Sequence, residues 1–299
     1  MNLIELKDCT VKFKKNNVYF NALNNINFGI NNRNIVGIVG ESGSGKSTLA
    51  RLIVGLLTPT FGKRLINGVD NKNSKYQMVF QDPASSMNPR LNVYQIIKEA
   101  LTNNESDLII EDILRRVGLN NTYLERYPHQ LSGGEQQRIC IARSIVNSPK
   151  LVVFDEAVSA LDMSTQGQII NLVKDIYENN EFIFLFISHD ISVIKFLSSR
   201  IIVMYMGEII EDINYLESNS EFYHPYSKCL QSSVPSANPD IKLNRIKIKG
   251  DVPNILEPTD GCSFSPRCPV AEEKCFFIKP DFIKYNNNYL SCHFPDNDL

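Results

Sequence analysis

The sequence predicts an α/β fold: a mostly parallel sheet covered on both faces, a helix-rich insertion, and a small loop-rich module towards the C-terminal end. Three observations carry this. Short apolar runs at 36–39, 151–154, 182–187 and 201–205 alternate with helical patterns, and strands that are apolar throughout need both faces buried. Between the first two runs, residues 83–145 are dominated by helical pattern. After about Pro225 the character changes, because Pro235, Pro239, Pro253, Pro258, Pro266, Pro269, Pro280 and Pro295 interrupt any long element.

In chain order, Val36-Gly37-Ile38-Val39 is a short strand that runs into a glycine-rich turn, and a helix is expected over 46–56. Asp82-Pro83 and Asn88-Pro89 mark the entry to the helical stretch. Within it, Leu108, Ile109, Ile113, Leu114 and Val117 recur at helical spacing. Leu151-Val152-Val153-Phe154 is a second buried strand and ends in two carboxylates, with a third strand at 182–187 and a fourth at 201–205. There is no internal repeat and no low-complexity tract.

Bulk composition narrows the function. With 299 residues, 43% hydrophobic and 21% charged, the chain suits a globular protein of one large domain, or of one domain with an appendage. A formal net charge of -2 supplies no basic field for nucleic acid or an anionic membrane. No apolar run approaches the ~20 residues of a membrane span, and the N-terminal residues lack a basic segment followed by a long apolar core. The chain is therefore expected in the cytoplasm, with any membrane attachment made through a partner. Cys9, Cys140 and Cys229 are scattered, whereas Cys262, Cys268, Cys275 and Cys292 crowd together. In a reducing compartment such crowding favours a metal or iron–sulfur site over disulfides.

Gly40-Glu41-Ser42-Gly43-Ser44-Gly45-Lys46-Ser47 fits G-x-x-x-x-G-K-[ST] between a strand and a helix. The glycines let backbone amides wrap phosphate oxygens, and the helix N-terminus favours the anion. Lys46 is placed to reach the β- and γ-phosphates and Ser47 to bind Mg²⁺. The strand at 151–154 delivers Asp155 and Glu156 to the carboxyl edge of the sheet. Asp155 suits Mg²⁺, and Glu156 suits orienting and deprotonating the attacking water.

Those residues alone say nucleotide hydrolase. Leu131-Ser132-Gly133-Gly134-Glu135-Gln136-Gln137-Arg138 says more. Ser132 and Glu135 form a Ser-x-x-Glu capping box, and the glycines leave helix N-terminal amides bare. That is a second anion site about 85 residues past the first. One chain rarely needs two γ-phosphate sites for one ATP, so the second is read as serving the nucleotide of another subunit.

With these motifs in order, the chain resembles the ATP-binding subunits of ABC transporters over nearly its whole length. The resemblance implies a P-loop NTPase (RecA-like) core with an antiparallel β subdomain and a helical subdomain at about 83–145, together forming a nucleotide-binding domain over 1–224. It implies that Gly40, Ser42, Gly43, Gly45, Lys46, Ser47 and Thr48 bind ATP, with Phe13 stacking on adenine in preference to Tyr19 or Phe20. Gln81, in Phe80-Gln81-Asp82-Pro83, looks like the glutamine that touches Mg²⁺ and senses the membrane partner. Asp162, in Ser159-Ala160-Leu161-Asp162, looks like the loop that crosses the dimer interface, and His189 like the switch histidine at the γ-phosphate. Ser132, Gly133, Gly134 and Glu135 would meet the partner's ATP. Ala157 stands where many members have proline; every catalytic position (Lys46, Gln81, Glu156, His189) is intact.

His224-Pro225-Tyr226-Ser227 and Gly261-Cys262-Ser263-Phe264-Ser265-Pro266-Arg267-Cys268-Pro269 resemble the C-terminal extension of oligopeptide and dipeptide importer ATPases, here residues 225–299. In that branch Cys262, Cys268, Cys275 and Cys292 would ligate a [4Fe-4S] cluster. From the residues alone, four thiolates within about thirty residues suit either an iron–sulfur cluster or zinc, although the spacing C-x5-C-x6-C-x16-C has no C-x2-C knuckle.

The resemblance implies a peptide importer at the cytoplasmic side of the membrane. Its expected partners are a second, paralogous ATPase subunit, two transmembrane permeases and an extracellular solute-binding protein, with no nucleic acid. Solute choice would lie with the permeases and binding protein, so nickel or metal-chelate import stands as an alternative. A soluble ABC protein acting on ribosomes or DNA usually carries two cassettes or a long coiled coil, and neither is seen here. A phosphate-loop kinase or GTPase leaves residues 131–137 unexplained.

Overall fold

The computed structural model describes residues 3–30, 34–66, 76–101, 107–180, 182–215, 221–234, 246–248, 250 and 259–295. Its elements in order are β1 (Ile4–Lys15), β2 (Val18–Ile30), β3 (Ile35–Val39), α1 (Lys46–Val54), β4 (Phe61–Ile66), β5 (Tyr76–Val79), α2 (Pro83–Ser86), α3 (Val93–Lys98), α4 (Asp107–Arg116) and α5 (Gly133–Ile145). They continue with β6 (Leu151–Asp155), α6 (Met163–Glu178), β7 (Ile183–Ser188), α7 (Ile191–Leu197), β8 (Arg200–Tyr205), β9 (Glu208–Asn214), α8 (Pro225–Ser232), α9 (Glu273–Phe277), β10 (Ile283–Tyr285) and β11 (Asn288–Leu290). The chain divides into two compact units, one of Met1–Asn32, Val36–Lys72 and His189–Leu299, the other of Arg33–Ile35 and Asn73–Ser188.

In the first unit β1 lies between β2 and β4 in an antiparallel three-stranded sheet, as the resemblance implied. Asn16 and Asn17 close the β1–β2 hairpin in left-handed conformations, φ 49° and 64°. Asparagine tolerates that region, and a two-residue turn of this kind matches the twist of paired strands. A second sheet pairs β3 with β8 in parallel and β8 with β9 antiparallel. Every residue of β3 is buried, as a strand apolar throughout requires.

The C-terminal segment adds to that sheet: β11 pairs with β9 through Tyr289↔Asp212 and Leu290↔Glu211, and β10 with β11. The sequence reading expected loops there. Strands of three residues and a helix of five are what fits between the prolines.

The second unit carries parallel β5, β6 and β7, with β6 and β7 buried at every residue. Helix α5 packs against α2, α3, α4, α6 and β5, so the helical stretch expected over 83–145 is organised around it. Ile110, Ile113, Leu114 and Val117 are buried, whereas Leu108 is 72% exposed and lies off the apolar face that its spacing suggested.

Helix α1 stops two residues short of the expected 56. Gly55 takes φ 88° and its amide donates to the carbonyls of Arg51 and Leu52, an αL termination that glycine permits at little cost. Among the described residues no helix is long and apolar enough to cross a membrane.

Candidate functional site

Within the first unit the phosphate loop follows β3 and opens α1. Gly45 is the N-cap of α1 at φ 99°, and Gly43 has φ 80°. Both lie in the left-handed region that side-chain-bearing residues avoid. A Cβ built on Gly43 would meet no protein atom within 4 Å, so the loop presents bare backbone to open space. The turn after β8 buttresses it, the Gly207 amide donating to the Ser44 carbonyl at 2.9 Å. Lys46 is buried, and its ammonium donates to the carbonyls of Gly40 and Glu41, both at 2.8 Å. A cation so held in a glycine-bearing loop, on the first residue of a helix, fits a polyphosphate. Ser47 and Thr48 occupy the first turn of α1.

Phe13 is 37% exposed on β1, its ring tilted against Phe20 at 6.2 Å. Tyr19 is more exposed still. A partly exposed aromatic ring is suited to stacking on a base. His189 follows β7 and is exposed, directly before Asp190, the N-cap of α7.

Within the second unit β6 ends in buried Asp155, followed by Glu156 in the left-handed region at φ 49°. That conformation is uncommon for a residue bearing a side chain and is characteristic of sites where a group must be aimed. The Glu156 amide donates to the Ile187 carbonyl at 3.1 Å, which anchors the turn. Gln81 Nε2 donates to Glu156 Oε2 at 3.2 Å, so the structure brings these two sequence-selected residues together. A carboxylate held by an amide donor on a firm backbone can orient a water molecule.

The capping box expected at the start of α5 is present in full. The Glu135 amide donates to Ser132 Oγ at 3.3 Å and the Ser132 amide to Glu135 Oε2 at 2.8 Å. Tyr123 Oη adds a hydrogen bond to Glu135 Oε1 at 2.7 Å, and this bond, with the Ser132 amide next, holds the Glu135 carboxyl below its usual range. Gly134 serves close packing: a Cβ there would come within 2.5 Å of Thr165 Cγ2 on α6. Asp162 is the N-cap of α6, accepting from the Thr165 amide at 3.0 Å and from Thr165 Oγ1 at 2.7 Å. Those two donors hold its carboxyl below the usual aspartate range.

Cys262, Cys268, Cys275 and Cys292 line one cavity together with Phe264 and His293. Burial pushes the thiols of Cys262 and Cys268 up to about 11 and that of Cys292 up to about 12. Among the described residues no group of three or more His, Cys, Asp or Glu side chains is arranged to hold a metal ion. The structure thus brings the four sulfurs to one cavity without placing them in a coordination geometry.

Two residues that touch the phosphate loop were not singled out by the sequence. Arg267 forms a partly buried ion pair with Glu41, and Tyr226 Oη accepts from the Glu41 amide at 2.7 Å. They stand 226 and 185 positions from Glu41, so no local pattern links them to it.

Comparisons with known proteins give the family. The family described as "ABC transporter" matches residues 23–159, and that described as "Oligopeptide/dipeptide transporter, C-terminal region" matches residues 219–275. The chain is 40% identical to the oligopeptide transport ATP-binding protein AppF of Bacillus subtilis (strain 168), over 91% of this chain and 89% of that protein. It is 38% identical to the oligopeptide transport ATP-binding protein OppF of Haemophilus influenzae, over 96% of this chain and 95% of that protein. Among solved structures, it is similar to a dimeric ATP-binding cassette in a post-hydrolysis state bound to ADP and phosphate, with a TM-score of 0.62 and 29% identity. That match covers 73% of this chain and 97% of the other.

Proposed function

The chain belongs to the ATP-binding subunits of ABC transporters, in the oligopeptide-import branch, and from that premise we propose that two such chains complete each other's nucleotide sites. It is an ATPase that energises a peptide importer, working with membrane permeases and a substrate-binding protein. The single observation that carries the two-chain reading is the glycine-bearing, fully capped N-terminus of α5. The capping box occupies the amides of Ser132 and Glu135 and leaves those of Gly133 and Gly134 at the helix N-terminus, in a chain that already has a complete phosphate loop at 40–48.

In this reading Gly40–Thr48 of one subunit and Ser132–Glu135 of its partner hold one ATP between them, with Phe13 stacked on the adenine. Lys46 neutralises the β- and γ-phosphates. Mg²⁺ supplies charge neutralisation at the phosphates when bound, and Ser47, Gln81 and Asp155 would hold it. Glu156 orients and deprotonates the attacking water, His189 contacts the γ-phosphate, and Asp162 lies at the seam between subunits. ATP binding favours the closed pair because only the closed pair offers both halves of the cage, and loss of the γ-phosphate removes that preference. Gln81 and the helical segment at 83–145 pass the motion to the permeases. The second ATPase is a paralogue, and the pair sits peripherally on the cytoplasmic face of the membrane.

The division into a nucleotide-binding domain at 1–224 and a cysteine-bearing module at 225–299 belongs to the same reading. Cys262, Cys268, Cys275 and Cys292 would hold a [4Fe-4S] cluster, supported by their convergence on one cavity. Binding would displace the protons that burial keeps on the thiols. Anaerobic purification should then yield iron, sulfide and an absorption band near ~400 nm, lost in C268S. A colourless protein containing zinc overturns the iron–sulfur assignment.

The transport function is tested by isolating the chain from membranes and reconstituting it. Recovery with integral permeases, and peptide uptake into vesicles that requires ATP, is expected. Recovery with ribosomes, or uptake of a metal chelate in place of peptide, contradicts it.

A further inference from the structure

The second residue of the phosphate loop is gripped twice by the C-terminal segment. Arg267 Nη1 donates to Glu41 Oε2 at 2.7 Å and Arg267 Nη2 to Glu41 Oε1 at 3.2 Å, a two-pronged ion pair. The Glu41 amide donates to Tyr226 Oη at 2.7 Å. Side chain and backbone of one residue are therefore both fixed from outside the loop. The pair is sheltered, with 8% exposure for the Arg267 side chain and 24% for that of Glu41. Forked, charge-assisted bonds away from water are among the stronger polar contacts, and removing one partner strands the other.

The grip is itself rigid. Tyr226 packs on Tyr205 with ring centroids 4.8 Å apart and on Phe264 at 5.3 Å, and Arg267 Nη1 lies 3.3 Å from Tyr205 Oη. Tyr205 is the last residue of β8, the strand paired with β3 from which the loop departs. The residue so anchored also supplies one of the two carbonyls that hold the Lys46 ammonium. A shift of the 40–41 peptide would thus move the lysine that faces the phosphates.

We propose that Arg267 and Tyr226 are positioning residues, through which the C-terminal segment sets the affinity of the phosphate loop for ATP. The proposal rests on the reading that residues 40–48 bind ATP. It makes Glu41 a receiver, with its carboxylate turned to Arg267 and its amide to Tyr226.

The test is calorimetric titration of MgATP into the full-length chain and its variants, with melting temperature recorded in parallel. R267M should raise the Kd about 10-fold, the scale set by loss of one sheltered charge-assisted contact. Y226F, which removes one oxygen and keeps the ring packing, should raise it roughly 3-fold, and R267K should fall between wild type and R267M. The double variant E41Q/R267M should bind no worse than R267M, because both changes break the same link. A merely structural staple would lower the melting temperature and leave Kd unchanged. Wild-type binding with Y226F and R267M within twofold of it overturns the proposal, as does strict additivity of E41Q and R267M. Should R267M fail to fold, Y226F decides alone. Failure of the wild-type chain to bind ATP would instead sink the nucleotide reading itself.

Discussion

Gln81 Nε2 and Glu156 Oε2 are 3.2 Å apart, and the same Nε2 lies 3.5 Å from Ser159 Oγ. The amide therefore fixes the direction of a carboxylate that stands on a left-handed backbone turn. E156Q should retain ATP while phosphate release falls by about 10²–10⁴, the usual worth of a positioned general base. Q81A should lose less, roughly 10-fold, because the carboxylate stays but is no longer aimed. Phosphate release from the assembled importer checks both. Retained turnover in E156Q would remove that residue from the base role.

Close approach of α5 and α6 depends on the missing side chain at Gly134. G134A would push a methyl to 2.5 Å from Thr165 Cγ2 and should destabilise the protein by roughly 1–3 kcal/mol, the typical cost of overpacking. T165S deletes that Cγ2 and keeps the hydroxyl that Asp162 accepts from, so G134A/T165S should regain most of the loss. Denaturant unfolding measures this. An equal loss in the double variant would place the cause elsewhere.

Stability should carry two opposed pH dependences from one region. Burial pushes the Glu211 carboxyl up to about 7, while the amides of Tyr223 and His224 donate to it. The folded state then holds a proton that the unfolded chain has released, so stability falls as pH rises from about 4.5 to about 7, by roughly 3 kcal/mol in total. Burial pushes the His224 imidazole down to about 3, so its contribution falls as pH drops below the ordinary histidine range. The two cancel near mildly acid pH in the wild type. In H224N, which keeps an acceptor for the Tyr226 amide, melting temperature should fall as pH rises from 5 to 7, with the trend gone in H224N/E211Q. A flat profile in H224N would show that Glu211 is ionised throughout.

Much of the fold and the chemistry was legible in the sequence because both are local. The strands β3, β6, β7 and β8 each carry an unbroken, buried apolar run, and burial on both faces leaves little else for such runs to form. The capping box of α5 spans four residues and formed as read. The long strands β1 and β2 were harder to see, since asparagine and lysine break their apolar alternation on an exposed sheet. The short strands β10 and β11 gain their place from pairing with β9, a contact across more than seventy positions that no local pattern records. The same distance hid Arg267 and Tyr226 from view as loop partners. Each sits in a segment that was noticed for its resemblance, but Glu41 is chosen by the tertiary fold.

If two chains cage each ATP, a change at Ser132 separates that arrangement from a one-chain site. S132R should abolish turnover in the assembled importer while the isolated chain binds MgATP with a Kd within about twofold of wild type, because uniform loss of folding would change both. Its melting temperature should drop only by the loss of a helix cap, about 1 kcal/mol in stability. Full turnover by S132R, or hydrolysis by the isolated monomer at the rate of the importer, would contradict the account.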